Sequence, residues 1–168
     1  LRIVLVQGLS SGDRMDITLQ KAVELGVSSV QPIFSERSVV RLSDERATKR
    51  VAHWRQVMIS ACEQCGRNLI PDLAPPLSFA DWLATLAPAT EGAVRILLSP
   101  QASARPIDLP RPVSITLLAG PEGGFTAEES ERALRHGFIA LRLGPRVLRT
   151  ETAALAALAV MNVLWGDF

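Results

Sequence analysis

Two short glycine-proline runs are where this chain could do chemistry. Gly120-Pro121-Glu122-Gly123-Gly124 follows the apolar run Ser114 to Ala119, and Gly144-Pro145-Arg146 follows Phe138 to Leu143. Glycine allows positive φ and close backbone approach to a ligand, and proline stiffens the turn. A ligand held there would be read mainly by peptide groups. The first run precedes a helical pattern, and a helix N-terminus suits phosphate. The phosphate-loop pattern, however, needs Lys-Ser/Thr after its last glycine, whereas Gly124 is followed by Phe125-Thr126. The dinucleotide pattern GxGxxG is absent as well, and Glu122 would repel a phosphate. A ligand with an adenine edge, a ribose and a positive centre fits better. S-adenosylmethionine has all three, although a glycine-rich turn with no ligand uses the same residues.

The other reactive pair is Cys62-Glu63-Gln64-Cys65. Zinc takes about four ligands, usually from two such pairs. The histidines, His53 and His136, stand at no usual spacing from it. A redox CxxC belongs at a helix N-terminus, where the dipole lowers the thiol pKa. This one falls near the end of a helical pattern, which predicts two half-buried small side chains and no metal.

The elements that must position these residues alternate strand and helix. Arg2 to Val6 predicts a strand, Leu9 to Asp13 a turn, and Met15, Leu19, Ala22 and Val23 a helix ended by Gly26. Ser29 to Phe34 predicts a second strand. Ser43 or Asp44 can cap a long helix with the stripe Ala47, Val51, Trp54, Met58, Ala61 and Cys65. Pro71 to Pro76 breaks the pattern, and Ser78 with Asp81 opens a short helix through Leu86. Val94 to Leu98, Ser114 to Ala119 and Phe138 to Leu143 are nearly continuous apolar runs, as in buried parallel strands. Each ends in an X-Pro turn. Thr126 and Glu129 form a capping box for a helix to His136, with Gly137 beyond it. Arg105 to Pro112 is expected as a surface loop. Glu151 to Trp165 is apolar on almost all sides and must be buried against the sheet or a partner subunit. The class is α/β, a mainly parallel sheet flanked by helices, with ligands expected beyond the carboxyl ends of the strands.

The 168 residues suit one domain, and a composition 48% hydrophobic and 21% charged is that of a globular chain. A formal net charge of +1 argues against nonspecific polyanion binding by the whole surface. Lys21 and Lys49 are the only lysines; arginine suits planar, bidentate contacts to phosphates and bases. No signal peptide or membrane span is expected, since Ala153 to Trp165 is too short and contains Asn162. A cytoplasmic protein follows. The chain opens in a strand-like run without a methionine, so a preceding N-terminal region is expected.

Leu118-Ala119-Gly120-Pro121-Glu122-Gly123-Gly124-Phe125-Thr126 resembles the GPEGG motif of RsmE-type SPOUT methyltransferases, and Leu143 to Ala153, LGPRVLRTETA, resembles their second signature. Gly12 to Asp16, Gln20 to Ala22, Glu24 to Val27, Ser35 to Ser38 and Glu63 to Arg67 fit the same family in order. The resemblance implies a SPOUT fold with a C-terminal deep trefoil knot, spanning residues 1–168 as the methyltransferase domain. It implies S-adenosylmethionine as cofactor, a homodimer, and methylation of uridine N3 in 16S rRNA of the small ribosomal subunit. The family's N-terminal PUA-like RNA-binding domain is not among these residues. Ser11 stands where many members carry lysine, which puts a phosphate contact there in doubt.

Cofactor contacts are expected from Leu118, Gly120, Pro121, Gly123, Gly124, Leu143, Gly144, Arg146, Val147, Leu148 and Thr150. Glu122 is the candidate base or substrate-orienting group, against a structural carboxylate binding loop amides. Arg149, with Arg146, is the candidate for stabilising charge on the base carbonyls, against an ion pair with Glu151 or Glu122. Lys21, Glu24 and Arg37 match motif positions and could form a buried polar network behind the site. Arg14 and Arg67 are expected to touch RNA. The competing readings are another SPOUT enzyme acting on tRNA or a ribose 2'-hydroxyl, a non-catalytic RNA-binding assembly factor, and a plain nucleotide-binding module.

Overall fold

The computed structural model describes residues 1–39 and 44–168. Strands β1 (Arg2–Gly8), β2 (Ser29–Phe34), β3 (Asp72–Leu73), β4 (Leu77–Ser78), β5 (Ala93–Leu98), β6 (Ser114–Ala119) and β7 (Phe138–Leu141) form one sheet among the described residues. Its order is β3-β2-β1-β6-β5-β7, with β4 also beside β2, and every pairing is parallel. Helices α1 (Arg14–Glu24), α2 (Asp44–Cys65), α3 (Phe79–Ala84), α4 (Ala127–Arg135) and α5 (Thr150–Trp165) cover it.

Alternation along the strands divides the core. Ile3 and Leu5 of β1 join Leu19, Met58, Leu158 and Met161 on the face covered by α1, α2 and α5. Val6 joins Phe79, Trp82, Ala133 and Phe138 on the face covered by α3 and α4. The strand order reverses at β1–β6, and ligands of such sheets bind beyond the carboxyl ends of the strands.

Several expectations are met in detail. Gly26 has φ +79° after α1. Thr126 Oγ1 accepts from the Glu129 N–H at 3.1 Å while Glu129 Oε2 accepts from the Thr126 N–H at 2.9 Å, the reciprocal cap of α4. Ser78 Oγ accepts from the Asp81 N–H at the start of α3.

Others change. The proline-rich run holds β3, and β4 follows it; both are two-residue strands beside β2, and the flanking Pro71, Pro75 and Pro76 keep them short. The strand after α4 ends at Leu141, not Leu143, because the Arg142 N–H turns away to the Ala104 carbonyl at 3.0 Å. Cys62, four residues after Met58, takes the last inward position of α2, and Cys65 is exposed. The proposed cap Ser43 lies outside the described residues. Helix α5 is buried on one side only. Ala154, Ala157, Leu158, Met161 and Trp165 face the core, whereas Val163 is 65% exposed. Asn162, in the second half of the helix, is buried and donates through Nδ2 to the Leu25 carbonyl at 2.7 Å, closing the end of α1. No helix is long and apolar enough to cross a membrane among the described residues.

Candidate active site

The ends of β5, β6 and β7 open into one cavity of about 540 Å³. Its walls come from the turn after β5 (Ser99, Pro100), from the first loop (120–124) and from the second (143–149). The two glycine-proline loops, distant in sequence, share this hollow. They are also tied together at the residue that follows the second loop: Thr150 Oγ1, at the start of α5, donates to the Gly120 carbonyl at 2.5 Å.

Close backbone packing shapes the first loop. A Cβ on Gly8, at the end of β1, would lie 2.5 Å from Pro121 Cδ and 2.9 Å from the Gly120 carbonyl carbon. A Cβ on Gly123 would meet Arg37 Cβ at 2.9 Å. The Gly124 N–H closes a turn onto the Pro121 carbonyl at 2.9 Å with φ +66°. Arg37 Nη1 donates to the Gly123 carbonyl at 3.2 Å.

Glu122 is tethered rather than free. Its Oε1 accepts from the Ser11 N–H at 2.8 Å, Ser11 Oγ at 2.9 Å and Arg14 Nη1 at 2.7 Å. Burial pushes this carboxyl upward. The Ser11 and Glu122 N–H groups, the Arg14 guanidinium and the Ser11 hydroxyl outweigh that push and hold it below its ordinary 4.5. An anion so held is a poor proton acceptor. Glu151 differs: its Oε2 is buried with no hydrogen-bond partner among the described residues, on a side chain that lines the cavity. Arg142, Arg146 and Arg149 are exposed along the cavity. The rim is thus rich in guanidinium groups.

Comparison with known proteins decides the family. Residues 1–162 match the RNA methyltransferase domain family. Ribosomal RNA small subunit methyltransferase E of Buchnera aphidicola (Schizaphis graminum) is 39% identical over 99% of this chain and 67% of its own length. The enzyme of that name from Neisseria gonorrhoeae, in a crystal structure bound to S-adenosyl methionine, superposes with a TM-score of 0.92 at 46% identity. That match covers all of this chain and 68% of the other. The chain belongs to the ribosomal RNA small subunit methyltransferase E family. It spans about two thirds of the length of these relatives. A SpoU methyltransferase from Streptomyces viridochromogenes shares the fold alone, at a TM-score of 0.58 and 14% identity over 98% of this chain and 60% of the other.

Within this family member, most residues singled out from the sequence line the cavity: Gly120, Pro121, Gly123 and Gly124, then Leu143, Gly144 and Arg146 to Thr150, together with Glu122, Arg14 and Arg37. Leu118 does not; it is fully buried on the α3–α4 face, one residue short of the strand end. Arg37 is bonded to the first loop rather than to Lys21 and Glu24, which pair with each other at 2.8 Å as a partly exposed surface couple on α1. The expected buried network therefore does not form. Arg67 Nη1 donates to the Val23 and Val27 carbonyls at 2.8 and 2.9 Å, so this guanidinium locks the end of α2 to the α1–β2 corner. Arg149 has no ion pair among the described residues, with Glu151 or with Glu122. Burial raises the Cys62 thiol above its ordinary value, which fits a packed side chain and not a reactive thiolate. No metal-holding cluster of acids, histidines and cysteines occurs among the described residues. The sequence did not single out the cavity's Leu98 and Gln101, although they flank the visible X-Pro turn at Ser99-Pro100, nor Phe125, which directly follows the first loop.

Proposed function

We propose that this chain binds S-adenosylmethionine in the shared cavity and methylates N3 of a uridine in 16S rRNA of the small ribosomal subunit. The observation that carries the reading is the convergence of both glycine-proline loops on one hollow of suitable size. The residues suit such a cofactor. Backbone edges of Gly120–Gly124 and Gly144–Leu148 would hold the adenosine, and the buried Glu151 oxygen, without a hydrogen-bond partner among the described residues, suits a ligand that carries positive charge. When bound, the cofactor supplies an electrophilic methyl group on sulfur.

The chain's own residues must do the rest. Uracil N3 carries a proton, so the site has to favour the anion of the base or accept that proton. Arg149 and Arg146 are the groups for charge developing on the base carbonyls. Glu122 serves to fix the first loop and, through Arg14, the cavity mouth. The arginine rim supports contact with RNA phosphates. The target base must stand exposed or flipped to reach the pocket.

The reading takes residues 1–168 as one methyltransferase domain, with the family's PUA-like RNA-binding domain outside them. It includes the trefoil knot, supported by the return of the chain after β7 to bond with the start of the first loop. It includes a homodimer through the exposed apolar side of α5, and a cytoplasmic location.

The test is a calorimetric titration of S-adenosylmethionine into the protein and into Gly124→Val, whose backbone needs φ +66°. Saturable binding to the first and loss in the second are expected. Absence of heat with the wild-type chain removes the reading. Mass spectrometry of unmodified small subunits after incubation should then locate one new methyl-uridine.

A further inference from the structure

One fully buried polar side chain belongs to neither loop and yet bonds the start of the first and the helix residue that follows the second. Gln7 sits one residue before the end of β1, with its backbone paired to β6 opposite Ala119 and to β2 opposite Pro32. Ile3 and Leu5, at the same parity along the strand, are apolar and enter the core between the sheet and α1, α2 and α5. An amide at 0% exposure in that setting is costly unless it is hydrogen-bonded. Its Nε2 donates to the Gly8 carbonyl and to Thr150 Oγ1, each at 3.0 Å, and reaches the Gly120 carbonyl at 3.5 Å. Thr150 Oγ1 in turn donates to the same Gly120 carbonyl. Gln7 Oε1 has no partner among the described residues.

The three groups gathered by this amide are the end of β1, the first residue of the first loop and the first residue of the helix that follows the second loop. Gly8 already presses on Pro121, where a Cβ would overlap the proline ring. The amide thus fixes the spacing of the two cavity walls from the core side, without facing the cavity itself. A leucine of similar size would satisfy the core better and hold nothing.

We infer that Gln7 is a positioning residue, whose amide, acting through Thr150 and Gly120, holds the two loops at the separation that binds the cofactor. This rests on the proposed cofactor reading. Buried hydrogen bonds of this kind contribute enough to change an equilibrium constant by about three- to tenfold.

The test measures S-adenosylhomocysteine affinity by calorimetry, well below the unfolding temperature, for wild type, Gln7→Leu, Thr150→Val and Thr150→Ser. Expected are about a tenfold weaker affinity for Gln7→Leu and for Thr150→Val, and near-wild-type affinity for Thr150→Ser, which restores the hydroxyl. A merely structural glutamine would shift the unfolding temperature and leave the affinity of the folded protein unchanged. Wild-type affinity in Gln7→Leu overturns the inference, whatever Thr150→Val shows. Should Gln7→Leu not fold, Gln7→Met, of similar size and without the donor, takes its place, and wild-type affinity there overturns the inference. Failure of the wild-type protein to bind at all would instead strike the cofactor reading, so the two failures are distinguishable.

Discussion

Glu122 and Arg149, both polar cavity residues, are held in opposite ways, and their predicted behaviour follows from that. Glu122 gathers three donors on one oxygen, and its folded-state affinity for a proton is lowered. A depressed carboxyl stabilises the fold in full above its unfolded value, and that stabilisation fades as pH falls through the lower folded value. Glu122→Gln should therefore lower the denaturation midpoint at neutral pH. The gap from wild type should hold steady down to about pH 4.5 and close below it. A gap unchanged well below pH 4 would mean that the ion pair with Arg14 does not stabilise the loop. Arg149, by contrast, is exposed at the cavity with no ion pair among the described residues, so it is available to substrate. Arg149→Ala should leave S-adenosylmethionine affinity within about threefold and lower single-turnover methylation by about 10²-fold. Equal loss in both quantities would assign it to cofactor binding instead. The sequence identified both residues but not their states. The three donors to Glu122 come from Ser11 and Arg14, over a hundred positions away, and no local pattern announces such a contact.

At the scale of elements, legibility followed the range of the forces. Local signals were plain in the sequence: the Thr126–Glu129 box, the glycine after α1, and the apolar runs of β5 and β6. Elements set by long-range pairing were not. The two-residue strands β3 and β4 exist only because β2 offers them an edge, and β7 ends where Arg142 finds Ala104. The first strand was expected to stop at Val6, which hid Gln7 and Gly8 although both lie within β1. Gly8 carries the element-scale prediction. Because β1 abuts the first loop without room for a side chain, Gly8→Ala forces a Cβ into Pro121 at 2.5 Å. Overpacking of this kind typically costs about 1–3 kcal/mol, against a small gain from replacing glycine in a strand. Urea denaturation should show a lower midpoint at unchanged slope, and cofactor affinity should fall as the loop shifts. Full stability in Gly8→Ala would show that the loop can retreat freely.

For the whole molecule, the parallel sheet, its two covered faces and the position of the crevice were readable from alternation and strand-end turns, whereas the fate of α5 was left open between sheet and partner. The answer is divided. One side of α5 completes the core through Ala154, Leu158, Met161 and Trp165. The other bears Val160, Val163 and Leu164, spaced to form one stripe, with Phe168 exposed beyond the helix end. A single chain gains nothing from an apolar stripe in water, and scattered apolar exposure is ordinary; a stripe on a helix already anchored to the core is the surface that the proposed homodimer would use. The proposed homodimer therefore makes a sharp demand. In analytical ultracentrifugation at micromolar concentration the protein should sediment at twice the one-chain mass. Val163→Glu, with a charge inserted where the stripe is 65% exposed in one chain, should weaken self-association by about 10²-fold or more, since an unpaired charge in an apolar interface is strongly disfavoured. The isolated chain should tolerate the change, because Val163 packs little within its own fold. The thermal midpoint should then rise with protein concentration for the wild type and stay flat for the variant. A wild-type protein that remains single at tens of micromolar, with a midpoint independent of concentration, would remove the dimer and leave α5 as a helix whose outer stripe meets only solvent.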